Sequence, residues 1–331
     1  MREAAAVLGG GSLSVPDYSA FLAEQYLSEY LPAGGAAVKM AVVGSPETAA
    51  RLQRAVGAAA DAGGCLFVAV SAQDLRVDQV QQLLFALTRQ VDWPALAATA
   101  VRSAYEEVSM PAPAGLSVAE VADIYGMDAR ELYRSVRREL EERLLRNPDL
   151  ARELGRAVFR LAQAQLGSSD VDRAEREAVL GWLRGEKVVL AALRPALIHS
   201  RIDRHNARHL LVSLARLLLI SGYGGLVLCV DYARLAEGRR PPLEQRDGVY
   251  YTKAAALDAF EVLRQLIDST DDLRGVLVLA VVPPELVTDE ARGLPSYTAL
   301  QLRVADEVRD RRRANPFAAL VRLEVRLEAV S

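Results

Sequence analysis

Cysteine is nearly missing from this chain of 331 residues: Cys65 and Cys229 are the only two, each inside an apolar run. That excludes a disulfide framework and a cysteine-based metal site, and predicts two buried, reduced thiols of a cytoplasmic protein. Histidine is as scarce, with His199, His205 and His209 all in one short segment. His205 and His209 share a helix face, but HNARH lacks the glutamate of the HExxH zinc pattern and has no further ligand nearby. A surface cluster at a helix start, with Asp203 as its cap, is the expected reading, and no metal. An excess of positive charge is also absent, since 40 Lys and Arg face 43 Asp and Glu for a net charge of −3. A nucleic-acid binder with a positive field over its whole surface is thereby excluded, though a local basic stripe is not.

No uninterrupted run is long enough to cross a bilayer as a helix. The nearest, 209–230, contains Arg216 and then Ser221, Gly222, Gly224 and Gly225, so it reads as a buried helix, a turn and a buried strand. The first residues hold Arg2 and Glu3 and then glycines and serines, in place of a signal peptide's apolar core. Apolar residues make up 51% of the chain, which excludes a disordered polymer and fills either one large domain or two modest ones.

Periodicity then sets the organisation. After a loose lead-in over 1–16, the apolar spacing at Phe21, Leu22, Tyr26, Leu27 and Tyr30 predicts an amphipathic helix over 18–31. A strand over 38–43, a helix over 48–60 and a strand over 65–71 follow as a parallel βαβ unit. From Val77 to about Trp182 the pattern is helical, which is too long for an ordinary crossover and reads as a helical insert. Helix 203–220 feeds strand 225–230, and helix 252–268 feeds strand 275–282. Long helices alternating with continuous apolar strands predict a mostly parallel sheet covered on both faces. The tail over 318–329 alternates apolar residues with arginine and glutamate, the pattern of a half-exposed edge strand. Three segments result: 1–76 and 183–331 build the α/β core, and 77–182 is the insertion.

The turn after strand 38–43 is where a phosphate-binding loop belongs, and its chemistry is missing. With Thr48 as the Mg²⁺-binding hydroxyl, the window Ala41–Thr48 has Ala41 for the first glycine, Pro46 for the second and Glu47 for the lysine. Alternatively Gly44-Ser45-Pro46 starts a shortened loop; either alignment removes the lysine. Pro46 has no N–H, and Glu47 sets a negative charge where phosphates would lie. The helix start can still face an anion, or Glu47 itself caps it. Lys39, within the strand, is no substitute.

Asp231 ends the strand LVLCV, the place of a carboxylate that holds Mg²⁺, but the next position carries Tyr232 where a general base belongs. A phenol is a poor base at neutral pH. The plain alternative is a strand-end aspartate capping the next segment. Strand 276–282 ends in Val282-Pro283, where an Asn or Thr would sense the terminal phosphate. Gly44, Thr48 and Asp231 are therefore the remnants of a nucleotide site, with no catalytic residue among them and no ATP or Mg²⁺ unless another lysine, Lys187 or Lys253, restores it.

Two charged segments stand apart. Residues 116–140 have the form of a helix-turn-helix, with Arg130, Arg134, Arg137 and Arg138 on the second helix as candidate phosphate contacts. Glu131, Glu139, Glu141 and Glu142 dilute that field, and a purely structural hairpin is the competing reading. The run Arg309, Arg311, Arg312, Arg313 with Asp306, Glu307 and Asp310 reads as a solvated helix end.

Three phrases, RHNARHLLVSLARLLLISGYGGLVLCVDYARL, VYYTKAAALDAFEVLRQLIDS and GVLVLAVVPPELVTDEARGLPSYTALQLRV, resemble the P-loop ATP-binding proteins of bacterial phage-exclusion (BREX) islands. The resemblance covers about 30–70 and 180–320. It implies a three-layer P-loop NTPase core related to the AAA+ group, with Asp231 matching the metal-site aspartate, Tyr232 standing at the glutamate position and Arg303 matching an arginine after the SYxAL phrase. It further implies a place in a defence complex. With Ala41, Pro46, Glu47, Tyr232 and Val282-Pro283 departing from the family pattern, the expected function is a pseudo-ATPase. Such a subunit would pair in a hetero-oligomer with a related active ATPase, through a surface bearing Arg292 and Arg303. A divergent active ATPase and a DNA-binding adaptor built on 116–140 are the alternatives.

Overall fold

The structure is a computed structural model, and it describes residues 11–113, 115–167, 170–238, 240–305 and 314–324. The chain divides into two compact units, one formed by Met1–Leu83 and Gly222–Ser331 and the other by Leu84–Ser221.

The first unit is built on six strands: β1 (Leu13–Ser14), β2 (Ala36–Val43), β3 (Cys65–Ser71), β4 (Gly225–Asp231), β5 (Val276–Val282) and β6 (Leu320–Glu324). They form one sheet in the order β1-β6-β2-β5-β4-β3, and every pair is parallel. β4 and β5 are apolar on both faces because both faces are covered: Leu226–Val230 and Val276–Val282 are buried without a break. One face packs beneath α1 (Val15–Leu22) and α2 (Pro46–Ala62), where Leu22, Leu52 and Val56 meet Ala41, Val227, Cys229, Leu279 and Val281. A further π-helical turn, Ala23–Leu27, extends α1. This is a three-layer α/β core of the P-loop and AAA+-like kind. Both thiols are free and buried. Burial pushes the Cys65 thiol up to about 11 and Cys229 up to about 12.

Two expectations need correction. The last strand is not an edge: β6 lies between β2 and the two-residue β1, which pairs Leu13 and Ser14 with Leu323 and Glu324. The lead-in is therefore ordered at its end. A two-residue strand leaves no periodic signal, so its pairing partner cannot be read from pattern. The predicted tail beyond Glu324 and the charged run 306–313 lie outside the described residues.

In chain order the remaining helices are α3 (Val80–Gln90), α4 (Trp93–Glu107), α5 (Val118–Tyr125), α6 (Ala129–Leu140), α7 (Arg152–Gln165), α8 (Arg173–Leu183) and α9 (Ala207–Ile220). They are followed by α10 (Lys253–Asp268), α11 (Pro284–Thr288) and α12 (Thr298–Val304). In the second unit α4 packs on α6 and α7. Trp93, fully buried, donates its indole N–H to Thr88 O at 2.9 Å. Ser213 on α9 accepts the Ala151 N–H at 2.7 Å, giving the start of α7 a partner that its own sequence lacks. A Cβ at Gly155 would come within 2.2 Å of Leu144 O, so only glycine lets α7 approach the preceding turn so closely.

α5 and α6 are delimited by their caps. Ser117 and Glu120 form a reciprocal capping box at the start of α5. Gly126 ends it in the left-handed region at φ 64°, and Asp128 caps α6 by accepting the N–H groups of Arg130 and Glu131 at 3.0 Å each. Val121, Ala122, Leu132, Val136 and Leu140 are buried along the shared seam. Two helices joined by Gly126-Met127-Asp128 have the turn of a helix-turn-helix.

Candidate functional site

Because all six strands are parallel, their carboxyl ends share one edge of the sheet. From β2 the chain moves to the far strand β3, returns through β4 and β5, and then crosses to β6 on the other side of β2. Ligands of open α/β sheets bind beyond the strands' carboxyl ends where the order reverses in this way. The residues there are Gly44 and Ser45 after β2, Asp231 and Tyr232 at the end of β4, and Pro283 after β5.

After β2 only Gly44 and Ser45 precede α2. A phosphate cradle is built from N–H groups left unpaired in a helix's first turn. Here Pro46 has none, and Thr48 donates its N–H to Ser45 Oγ at 3.2 Å. Ser45 Oγ also lies 3.1 Å from Thr48 Oγ1. That hydroxyl belongs to a residue only 4% exposed. The helix thus begins earlier than its apolar pattern predicts, and its cap is Ser45 rather than Glu47. Glu47 stands at the helix mouth, its carboxyl held below the usual carboxylate range first by its own backbone amide and then by the Ser45 hydroxyl.

Asp231 sits between Ser71 of β3 and Val281 of β5 in the sheet register. Its carboxylate accepts the Ala233 N–H at 2.9 Å and so caps the following turn, while burial raises its pKa. Tyr232 turns inward. It is fully buried, its N–H reaches Val281 O at 2.8 Å, and its hydroxyl has no hydrogen-bond partner among the described residues. Burial drives its pKa upward, further from a base's range. At the end of β5, Val282 is buried and Pro283 is the residue before α11.

The edge beside β4 is filled by a polar network that sequence pattern alone does not reveal. Arg234, 7% exposed, donates to Glu237 at 2.6 Å and to Asp247 O at 2.9 Å, and stacks over Tyr250 at 4.5 Å. Asp247 also accepts from Tyr250 Oη at 2.6 Å and Gln73 at 2.9 Å. Tyr251 Oη donates to Leu75 O and accepts from the Val77 N–H. These bonds tie the loop before α10 onto the end of β3. The signal was there, an arginine just after the strand-end aspartate, but its partners lie in a loop of no regular period.

The chain has three lysines in all, Lys39, Lys187 and Lys253. Lys39 Nζ is buried, donating to Phe317 O at 2.5 Å and Ala318 O at 3.2 Å, over the Tyr26 ring. Lys187 belongs to the second unit, and Lys253 opens α10 with its side chain exposed. Of the predicted interface arginines, Arg292 donates to Tyr251 O at 2.9 Å and Leu235 O at 3.3 Å. Arg303 pairs with Asp268 and donates to Ala299 O at 2.7 Å. Both make these bonds within their own chain.

The helix-turn-helix arginines divide differently. Arg137 pairs with Glu141 at 3.0 Å, Glu139 accepts from Arg143 at 2.9 Å, and Glu142 pairs with Arg146. Of the acids expected to dilute the field, Glu139 and Glu142 are thus paired with arginines outside the candidate set, while Glu141 takes Arg137 out of it. Arg130, Arg134 and Arg138, one turn apart, lie exposed along α6. Among the described residues no helix is long and apolar enough to cross a membrane, and no group of three or more His, Cys, Asp or Glu could hold a metal ion.

The parallel six-stranded sheet with its flanking helices is a P-loop, AAA+-like core. A family model described as BREX system ATP-binding protein BrxC/D matches residues 116–329. The chain belongs to that family, which ties it to a phage-defence system. Comparison with curated proteins and with solved structures finds no match.

Proposed function

We propose that this chain is a non-hydrolysing member of its family that serves as a scaffold or regulatory subunit beside a related, active ATPase of the same defence system. The observation that carries this reading is the β2–α2 junction, where Pro46 has no N–H, Ser45 takes the N–H of Thr48, and the turn itself carries no lysine. An ATP site without those donors loses the electrostatic stabilisation that makes triphosphate binding favourable. The buried Tyr232 in place of a general base supports the same conclusion for hydrolysis. Binding of Mg²⁺-ATP to the purified chain, with Asp231→Asn as control, tests it. Saturable binding lost in that variant would favour the alternative, an active ATPase supplied with charge by Lys253.

A second reading concerns the helix-turn-helix. Arg130, Arg134 and Arg138 form an exposed arginine row on the helix that would enter a major groove, which supports contact with duplex DNA. Salt-dependent retention on duplex DNA, lost when the three are replaced by glutamine, is the expected result. No retention, alone or with the partner ATPase, would reject it.

A further inference from the structure

Between α6, α7 and the segment after α8, the helical unit holds an open cavity of about 430 Å³. Four guanidinium groups line it, those of Arg137, Arg152, Arg156 and Arg160, against one carboxylate, Glu141. Two of the four are neutralised internally. Arg137 pairs with Glu141, and Arg160 is held by Glu175 at 2.5 and 2.7 Å, by Gln163 Oε1 at 2.9 Å and by Asp170 O at 2.7 Å. Arg152 and Arg156, one turn apart on α7, have no carboxylate partner among the described residues. The cavity therefore keeps two uncompensated positive charges.

Its rim carries a backbone outlier. Leu197 lies at φ 55°, in the left-handed region that a leucine rarely enters, with its side chain 55% exposed. Its carbonyl accepts one N–H of Arg156 at 2.7 Å, which fixes that guanidinium at the cavity wall. Strain of this kind persists where the surroundings hold a residue in place, and it collects at ligand sites. The other walls are Phe159, Pro195 and Ala196.

We propose that this cavity binds a phosphate group, with Arg152 and Arg156 as its two cationic contacts. A guanidinium presents paired N–H donors in the geometry that phosphate oxygens accept, and the apolar walls suit the carbon body that bears the phosphate. The phosphate comes either from a free nucleotide or from a phosphodiester of duplex DNA lying along α6. On that helix Arg130 and Arg134 fall within about 60° of the cavity-lining Arg137 at 3.6 residues per turn. A backbone that follows the exposed arginine row would reach the cavity mouth. Only this second source rests on the DNA reading.

The test uses the full chain and the variant carrying Arg152→Gln with Arg156→Gln. Fluorescence anisotropy is read with a labelled duplex and, separately, with a labelled adenine nucleotide in competition with pyrophosphate. Arg152→Glu serves as a second variant, and thermal unfolding verifies the fold of each. The proposal expects at least one phosphate probe to bind the wild-type chain and to lose tenfold or more in affinity in the double variant. For the duplex, the slope of log K against log salt falls by roughly two as two contacts vanish. Nucleotide binding displaced by pyrophosphate identifies the free ligand, and binding of the duplex alone identifies the phosphodiester. Nucleotide binding that survives Asp231→Asn but not the arginine changes supports this site without touching the loss of the ATP site. Equal binding by wild type and variants, binding of neither probe, or preferential binding of polyglutamate overturns the proposal.

Discussion

Ser45 Oγ accepts the backbone N–H of Thr48 at 3.2 Å, closing the turn where a nucleotide-binding protein would leave its amides open. The bond makes Ser45 an N-cap, and the stability it lends is that of a cap. Ser45→Ala should destabilise the chain by about 1 kcal/mol in urea unfolding. No change would mean that the turn is held by other contacts.

Tyr232 presents the opposite economy, a buried hydroxyl without a partner among the described residues. Tyr232→Phe removes an unsatisfied polar atom and should leave stability within about 1 kcal/mol of wild type, on the stabilising side. Tyr232→Glu, which restores the general base in name, places a carboxylate at a fully buried position and should cost several kcal/mol without yielding hydrolysis. Denaturation curves of both variants, with phosphate release measured on the second, check this. Hydrolysis by Tyr232→Glu would contradict it.

Replacing Glu47 by lysine returns the missing charge but none of the missing donors. Pro46 still has no N–H, and Thr48 still gives its own to Ser45. Glu47→Lys should therefore gain no saturable ATP binding in calorimetry. A gain would show that charge alone was lacking.

Acid sensitivity is expected on α10. Glu261 accepts from Arg264 twice at 2.6 Å and from Gln265 at 2.7 Å, with Tyr297 as a further donor, and these hold its pKa down to about 2. Asp268 is lowered as well, first by Arg303. A depressed carboxylate contributes stability above its unfolded pKa, and that contribution is lost as pH falls through the folded value. Glu261→Gln should lower the melting temperature at pH 7, with the difference from wild type shrinking below pH ~4.5 and vanishing near pH ~2. Its partial exposure keeps the effect modest. A difference that does not depend on pH would sink the assignment.

The central strands were legible because β3, β4 and β5 are apolar runs with turn residues at both ends, and the observed bounds differ from the expected ones by a residue at most. The positions of Gly44 and Asp231 were legible for the same reason, since each follows or ends a readable strand. What escaped was set by contacts distant in sequence. Arg234 and Asp247 meet through a loop of no period, and β1 exists only because β6 offers two residues to pair with. The helix start was misjudged because apolar spacing begins inside α2, whereas its cap and proline precede that spacing. The charge balance of α6 was also invisible in composition, since which glutamate meets which arginine is decided by helical geometry.

Calorimetric titration of the purified wild-type chain with Mg²⁺-ATP to about 1 mM, repeated on Asp231→Asn, bears most directly on the closed β2–α2 turn. The account predicts no saturable heat that depends on Asp231. A saturable isotherm in the wild type, abolished in Asp231→Asn, would contradict it.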